Sequence, residues 1–163
     1  MVRHGRAEAR AVFARTTRAD AERPLTDDGR RRTRRVARGL AGQIAALERI
    51  ATSPYTRARQ TADLLAERFD TPAEPVEALV PGAAPESFLL WLQEVPEEAC
   101  VAAVGHEPGL GRLACWFLTG RGCPALPLKK AGACLLRFRG DPGPGRADLR
   151  WLLTPKQLRQ LAD

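Results

Sequence analysis

Histidine is nearly missing from this chain of 163 residues: His4 and His106 are its only two. Each sits in a short motif where a hydrophobic stretch ends, Arg3-His4-Gly5 and Gly105-His106-Glu107-Pro108, so neither reads as surface filler. Long apolar runs are lacking as well. Stretches such as Cys100 to Val104 are far too short to cross a bilayer, which excludes a helical membrane protein. Met1 leads almost directly into Arg3 and His4 with no apolar segment between, so no secretory signal is visible and the cytoplasm is the expected compartment. Cys100, Cys115, Cys123 and Cys134 show no C-x-x-C pairing and have only the two histidines to join them as ligands. They read as ordinary buried or half-buried thiols, with no metal site, cofactor or disulfide framework expected.

Lysine is scarce too, confined to Lys129, Lys130 and Lys156, so the net charge of +7 is almost wholly arginine's. Such a field attracts anionic substrates such as phosphates, or nucleic acid. Aromatic residues make up only 6 %, low for stacking on single strands, and no nucleic-acid-binding motif is recognisable. The densest basic run, Arg30 to Arg35, falls on an amphipathic pattern. Thr33, Val36, Ala37 and Leu40 form its buried stripe, which leaves Arg30, Arg31, Arg34, Arg35 and Arg38 mostly toward solvent.

What is present is a globular composition, 44 % apolar and 28 % charged, on a length suited to one domain spanning residues 1–163. Thr26 reads as the N-cap of a helix running to about Leu40, with Asp27 and Asp28 in its first turn. A brief strand over 49–53 halts at Pro54, and helical spacing continues from Tyr55 to Phe69. Residues 74–79 form a weak strand candidate and 85–92 a helix. Cys100 to Val104 is the clearest strand, continuously apolar as expected when both faces are covered, and a helix follows it to Gly120. Strands over 131–138 and 147–153, joined by the turn Asp141 to Gly145, and a helix over 155–161 complete the chain. This alternation implies a three-layer α/β/α sandwich with a mostly parallel central sheet and an antiparallel edge. The first strand is short: only Met1 and Val2 precede Arg3, so either the natural start lies upstream or the strand contributes a stub.

In open α/β sheets, ligands bind beyond the carboxyl ends of the strands, where helix N-termini also aim their amides. Three loops deliver polar groups to that edge: Arg3-His4-Gly5, Ser53-Pro54-Tyr55-Thr56-Arg57 and Gly105-His106-Glu107-Pro108. Two arginines and two imidazoles converging there suit a phosphoryl group, with glycines at 5 and 105 allowing close backbone approach. Arg59, two residues beyond Arg57 on a helix, faces elsewhere, and Lys129 and Lys130 fit a solvated turn.

These motifs, with Arg23-Pro24-Leu25-Thr26-Asp27-Asp28-Gly29 and the run from Ser53 to Ala62, resemble the histidine phosphatase superfamily, which has a phosphoglycerate mutase-like fold. Within it the short length is most similar to the small SixA-like phosphohistidine phosphatases. The resemblance implies a metal-independent phosphatase in which His4 is the nucleophile and Arg3, Arg57 and His106 hold the phosphoryl oxygens. Many superfamily members also use a glutamate after the third strand as proton donor; here either Glu77 matches it or Ala78 replaces it. The implied partner is a phosphohistidine-bearing protein such as a histidine-phosphotransfer domain. The alternatives are a phosphatase of small phosphomonoesters and a non-catalytic nucleic-acid-binding or interaction domain. No nucleic-acid or membrane partner is expected on the leading reading.

Overall fold

Consecutive buried residues divide the core in two, because side chains alternate across a strand. Ile50 and Ala51, Ala102 and Ala103, and Ala133 and Cys134 are all buried, and each pair sends one side chain to each face of the sheet. On one face Ile50, Ala102 and Ala133 meet Val36, Ala37, Leu40, Ala58, Ala62, Leu65 and Leu158. On the other, Ala51, Ala103 and Cys134 meet Phe88, Leu110, Leu113, Ala114 and Phe117.

The computed structural model describes residues 1–122 and 126–162. In chain order the elements are β1 (Val2–Arg3), α1 (Arg10–Phe13), α2 (Asp27–Ala41), β2 (Arg49–Thr52), α3 (Thr56–Phe69), β3 (Ala73–Pro75), α4 (Pro85–Gln93), β4 (Val101–Gly105), α5 (Gly109–Thr119), β5 (Ala133–Phe138), β6 (Ala147–Leu153) and α6 (Pro155–Gln160). Short 3-10 turns occupy Asp20–Glu22 and Glu77–Leu79. The sheet has six strands in the order β3-β2-β4-β1-β5-β6. Its first four members run parallel, while β5 and β6 form the antiparallel edge. With helices on both faces, this is the expected layered fold. Helix α2 packs its expected stripe inward, and Thr26 Oγ accepts the Gly29 N–H as an N-cap. On its outer side Arg31 and Arg32 pair with Asp28, and Arg34 with Glu67.

Three readings need correction. The third strand ends at Pro75, not at residue 79: the Val76 N–H still donates to the Thr52 carbonyl at 2.8 Å, but the Leu79 and Val80 N–H groups then turn back to the Val76 and Glu77 carbonyls and close Glu77–Leu79 into a 3-10 turn. The strand expected to begin at residue 131 begins at Ala133, since Ala131 takes a left-handed turn conformation, φ 60°. Cys100 and Cys134 are free thiols as expected, but Cys115 is disulfide-bonded; Cys123 lies outside the described residues. A disulfide needs two Cα atoms within a narrow range, which sequence spacing does not reveal.

Strand β1 is the stub that its sequence suggests. Val2 and Arg3 pair with Val104 and Gly105 of β4, and Val2 alone pairs with Ala133 of β5. Below it, at the amino ends of the parallel strands, lies a cavity of about 760 Å³ lined by residues including Met1, Phe88, Val101, Phe117 and Leu136. Neither histidine borders it.

Candidate active site

Strand order brings the two histidines together. Strand β4 lies between β2 and β1, all three are parallel, and their carboxyl ends lead into Gly105-His106, Ser53 and His4 respectively. The His4 N–H donates to the Gly105 carbonyl at 3.0 Å and the Ser53 N–H to the Val104 carbonyl at 2.9 Å, so these loops leave the sheet in register. The imidazoles of His4 and His106, both buried, stand with ring centroids 5.0 Å apart.

Each ring has one nitrogen committed. His4 Nδ1 lies 2.8 Å from the Gly5 carbonyl, which only accepts, so Nδ1 carries the proton and Nε2 keeps its lone pair. His106 Nε2 lies 2.9 Å from Ser53 Oγ, while its Nδ1 is buried with no hydrogen-bond partner among the described residues. Burial is the main cause that pulls His4 down to about 4, with Arg57, Arg3 and Arg23 adding repulsion against the Gly5 hydrogen bond. His106 is pushed down to about 3, again first by burial and then by His4 and Arg57. Both rings are therefore neutral near pH 7. For His4, desolvation is a larger cause than the arginine charges.

Arg57 sits in the first turn of α3, buried, with its guanidinium 5.1 Å from the centre of the Tyr55 ring. Arg3 donates from Nη1 to the Leu128 carbonyl at 2.8 Å. The Nε atoms of both arginines are buried without a partner, like Nδ1 of His106. Buried donors of this kind are costly unless something accepts from them, and these three belong to the residues that surround His4. A neutral imidazole with its Nε2 lone pair free, beside two guanidinium groups whose Nε donors are unfilled, can attack an anionic phosphorus centre while the cations hold its oxygens.

Gly5 fits the turn after His4 because a Cβ there would fall on the Thr33 hydroxyl. Its N–H donates to Thr61 Oγ1 at 3.0 Å, and that hydroxyl donates to the Arg57 carbonyl at 2.7 Å, tying the first loop to α3. Glu77 and Arg59 stand apart. Glu77 is exposed on its 3-10 turn and its carboxylate has no ion pair or hydrogen bond among the described residues; Arg59 is exposed on α3. Lys130 is exposed, as expected of a solvated turn, but it lies close enough to Arg3, Arg23 and Arg6 for them, after its partial burial, to lower its pKa.

Sequence reasoning missed several partners. Ser53 was placed in the loop without a role, and Asp20 was not noticed although it contacts Arg57 and Arg23. Asp20 sits on a three-residue 3-10 turn, too short to show any periodicity. The Leu128 carbonyl, a backbone atom, leaves no sequence signal at all.

Residues 1–80 match the family model of the histidine phosphatase superfamily, branch 1. The chain is similar to phosphohistidine phosphatase SixA of Escherichia coli strain K12, 28% identical over 163 residues that cover 98% of this chain and 94% of that protein. It is also 41% identical over 138 residues to an uncharacterized protein of Picosynechococcus sp., covering 83% of this chain and 81% of that one. Among solved structures, the protein histidine phosphatase SixA complexed with tungstate superposes with a TM-score of 0.80 at 27% identity over 96% of both chains. A phosphoserine phosphatase mutant from Entamoeba histolytica shares the fold, with a TM-score of 0.70 at 17% identity over 96% of both chains.

Proposed function

Because the chain belongs to the histidine phosphatase superfamily, and is on that ground a hydrolase, we propose that it removes the phosphoryl group from phosphohistidine on a partner protein, in the cytoplasm and without a metal ion. His4 Nε2 attacks phosphorus as the bond from phosphorus to the substrate imidazole breaks, and the protonated imidazole leaves. Water then attacks phosphorus, the Nε2–P bond breaks, and inorganic phosphate departs with His4 neutral again. Arg3, Arg57 and Nδ1 of His106 take the phosphoryl oxygens and offset the charge that develops on them. Gly5 lets the chain approach the anion.

The observation that carries the choice of substrate is the state of the nearby carboxylates. Asp20 lies beside Arg57, and although burial opposes its charge, hydrogen bonds from Arg23 and Arg10 bring it down to about 2. Glu107 Oε1 accepts the Leu128 N–H at 3.1 Å, and Glu77 stands exposed without a partner among the described residues. An ionised Asp20 has no proton to give an alkoxide. A phosphorylated histidine does not need one there, because its P–N bond breaks readily once the ring is protonated, whereas an alkyl phosphate leaves poorly unaided.

Turnover of a phosphorylated histidine-phosphotransfer domain, measured beside a panel of sugar, nucleotide and serine phosphates, tests the reading. Preference for the phosphohistidine protein is expected, with acid-labile, base-stable label trapped on wild type and lost in His4→Ala. Faster turnover of small phosphomonoesters would favour the second reading, which the shared fold of the phosphoserine phosphatase keeps in play. Equal inactivity of wild type and His4→Ala on every substrate would sink both.

A further inference from the structure

A guanidinium presents two edges to acceptors, one formed by its terminal nitrogens and one by Nε with the nearer of them. In Arg57 the terminal edge is already taken, and by a single residue. Nη1 donates to the Asp20 carbonyl oxygen at 2.7 Å, and Nη2 lies 3.1 Å from Asp20 Oδ2. The side edge holds Nε, which is buried and without a partner. The other Asp20 oxygen, Oδ1, accepts from Nε of Arg23 at 2.9 Å, and Arg23 in turn donates from Nη1 to the Glu8 carbonyl at 2.7 Å. Asp20 thus joins an otherwise exposed loop to two arginines whose charge reaches His4.

We propose that Asp20 is a positioning residue for phosphoryl transfer: it clamps the terminal edge of Arg57 so that the Nε edge is presented to the phosphoryl group, and it holds Arg23 beside it. This rests on the reading of His4 as the phosphoryl acceptor. It goes beyond that reading by assigning a carboxylate, which would ordinarily repel an anionic substrate, a supporting part. The opposite possibility is concrete: the Asp20 carboxylate could occupy the anion site and be displaced by substrate. The two differ in sign. Removing a competing anion tightens anion binding, whereas removing a clamp loosens it.

Tungstate affinity by calorimetry, together with kcat and KM, decides between them in wild type, Asp20→Ala and Asp20→Asn. A clamp predicts that Asp20→Ala lowers kcat by roughly 10- to 100-fold, the scale expected when a substrate-holding group is misplaced by about an ångström. Tungstate binds several-fold more weakly, the thermal midpoint moves little, and Asp20→Asn, which keeps an acceptor oxygen on the same stem, recovers part of both losses. Tighter tungstate binding in either variant, or unchanged kcat and affinity in both, overturns the proposal. Should Asp20→Ala fail to fold, Asp20→Asn carries the same comparison, an intermediate loss supporting the clamp and tighter or unchanged binding opposing it. Tungstate binding needs no turnover, so wild type that binds tungstate yet ignores phosphohistidine counts against the substrate assignment alone.

Discussion

The hydroxyl of Ser53 lies 2.9 Å from Nε2 of His106, and the direction of this hydrogen bond decides which ring nitrogen can donate to a substrate. His106 is neutral, so only one of its nitrogens carries a proton. With Ser53 donating to Nε2, the proton resides on Nδ1, the buried atom that has no partner. Ser53→Ala removes that preference at the cost of one oxygen in a fully buried position. We expect kcat to fall about 10-fold, the scale on which loss of an orienting hydrogen bond acts, with the nitrogen chemical shifts of His106 moving toward a tautomer mixture. Unchanged shifts and rates would show that the ring is oriented by something else.

Stability should rise with pH through the acid range. His4 and His106 have folded values of about 4 and about 3, against an ordinary value of 6.5. Between about pH 4 and 6.5 the unfolded chain therefore binds protons that the native protein refuses, and unfolding free energy climbs with pH by about 1.4 kcal/mol per unit for each histidine. The contribution is fully present above 6.5 and is lost as pH falls toward the folded values. Urea midpoints taken between these limits in wild type and His4→Gln check this, the variant showing a shallower slope. Parallel slopes would contradict a neutral, buried His4.

Activity should follow the same residue. The acid limb of kcat/KM reports the free enzyme's nucleophile, so it is expected near pH 4, where His4 takes up its proton, well below the ordinary histidine value of 6.5. A limb centred on the ordinary value would mean that the attacking ring is far more solvated than its burial indicates.

Gly5→Ala would place a methyl group on the Thr33 hydroxyl and about 3.3 Å from Leu25 Cδ2. Overpacking of this kind costs about 1–3 kcal/mol and would shift the turn that carries His4. Thr33 Oγ1 is buried without a partner, so Thr33→Ala sacrifices no hydrogen bond and should partly restore stability and turnover in the double variant. Additive losses in that cycle would argue that the two positions do not touch.

At the end of α3, Asp70 adopts the left-handed conformation, φ 53° and ψ 42°, that glycine takes without cost. Asp70→Gly should stabilise the protein by about 1 kcal/mol, measured by chemical denaturation, with activity unchanged. No gain would mean that the aspartate side chain compensates its own strain.

Much of this was legible in sequence because periodicity and turn chemistry are local. The stripe Thr33, Val36, Ala37 and Leu40 falls where its pattern puts it, and the strand expected at Cys100 to Val104 lies one residue later, at Val101–Gly105. The convergence of His4, Arg57 and His106 also followed from one rule about strand ends. What escaped were features made by contacts distant in sequence. Asp20 reaches Arg57 across 37 positions and Arg3 reaches the Leu128 carbonyl across 125, and no spacing encodes either. The third strand reads longer in sequence than it is because the 3-10 turn over Glu77–Leu79 is too short to show a periodicity of its own.

Strand β1 is held by very few sheet pairings, yet it delivers His4, the proposed nucleophile. Much of the grip comes from the segment at 128–132: the Leu128 carbonyl takes Arg3 Nη1, the Gly132 carbonyl takes the Arg3 N–H, and the Ala131 N–H reaches the carbonyls of Arg3 and His4. We expect that clasp to open at a smaller free-energy cost than the core helices and central strands, so that the protein stops working before it comes apart. Heat inactivation would then run ahead of the loss of tryptophan packing, and the durability of the catalyst would be set by a short turn rather than by the bulk of the fold.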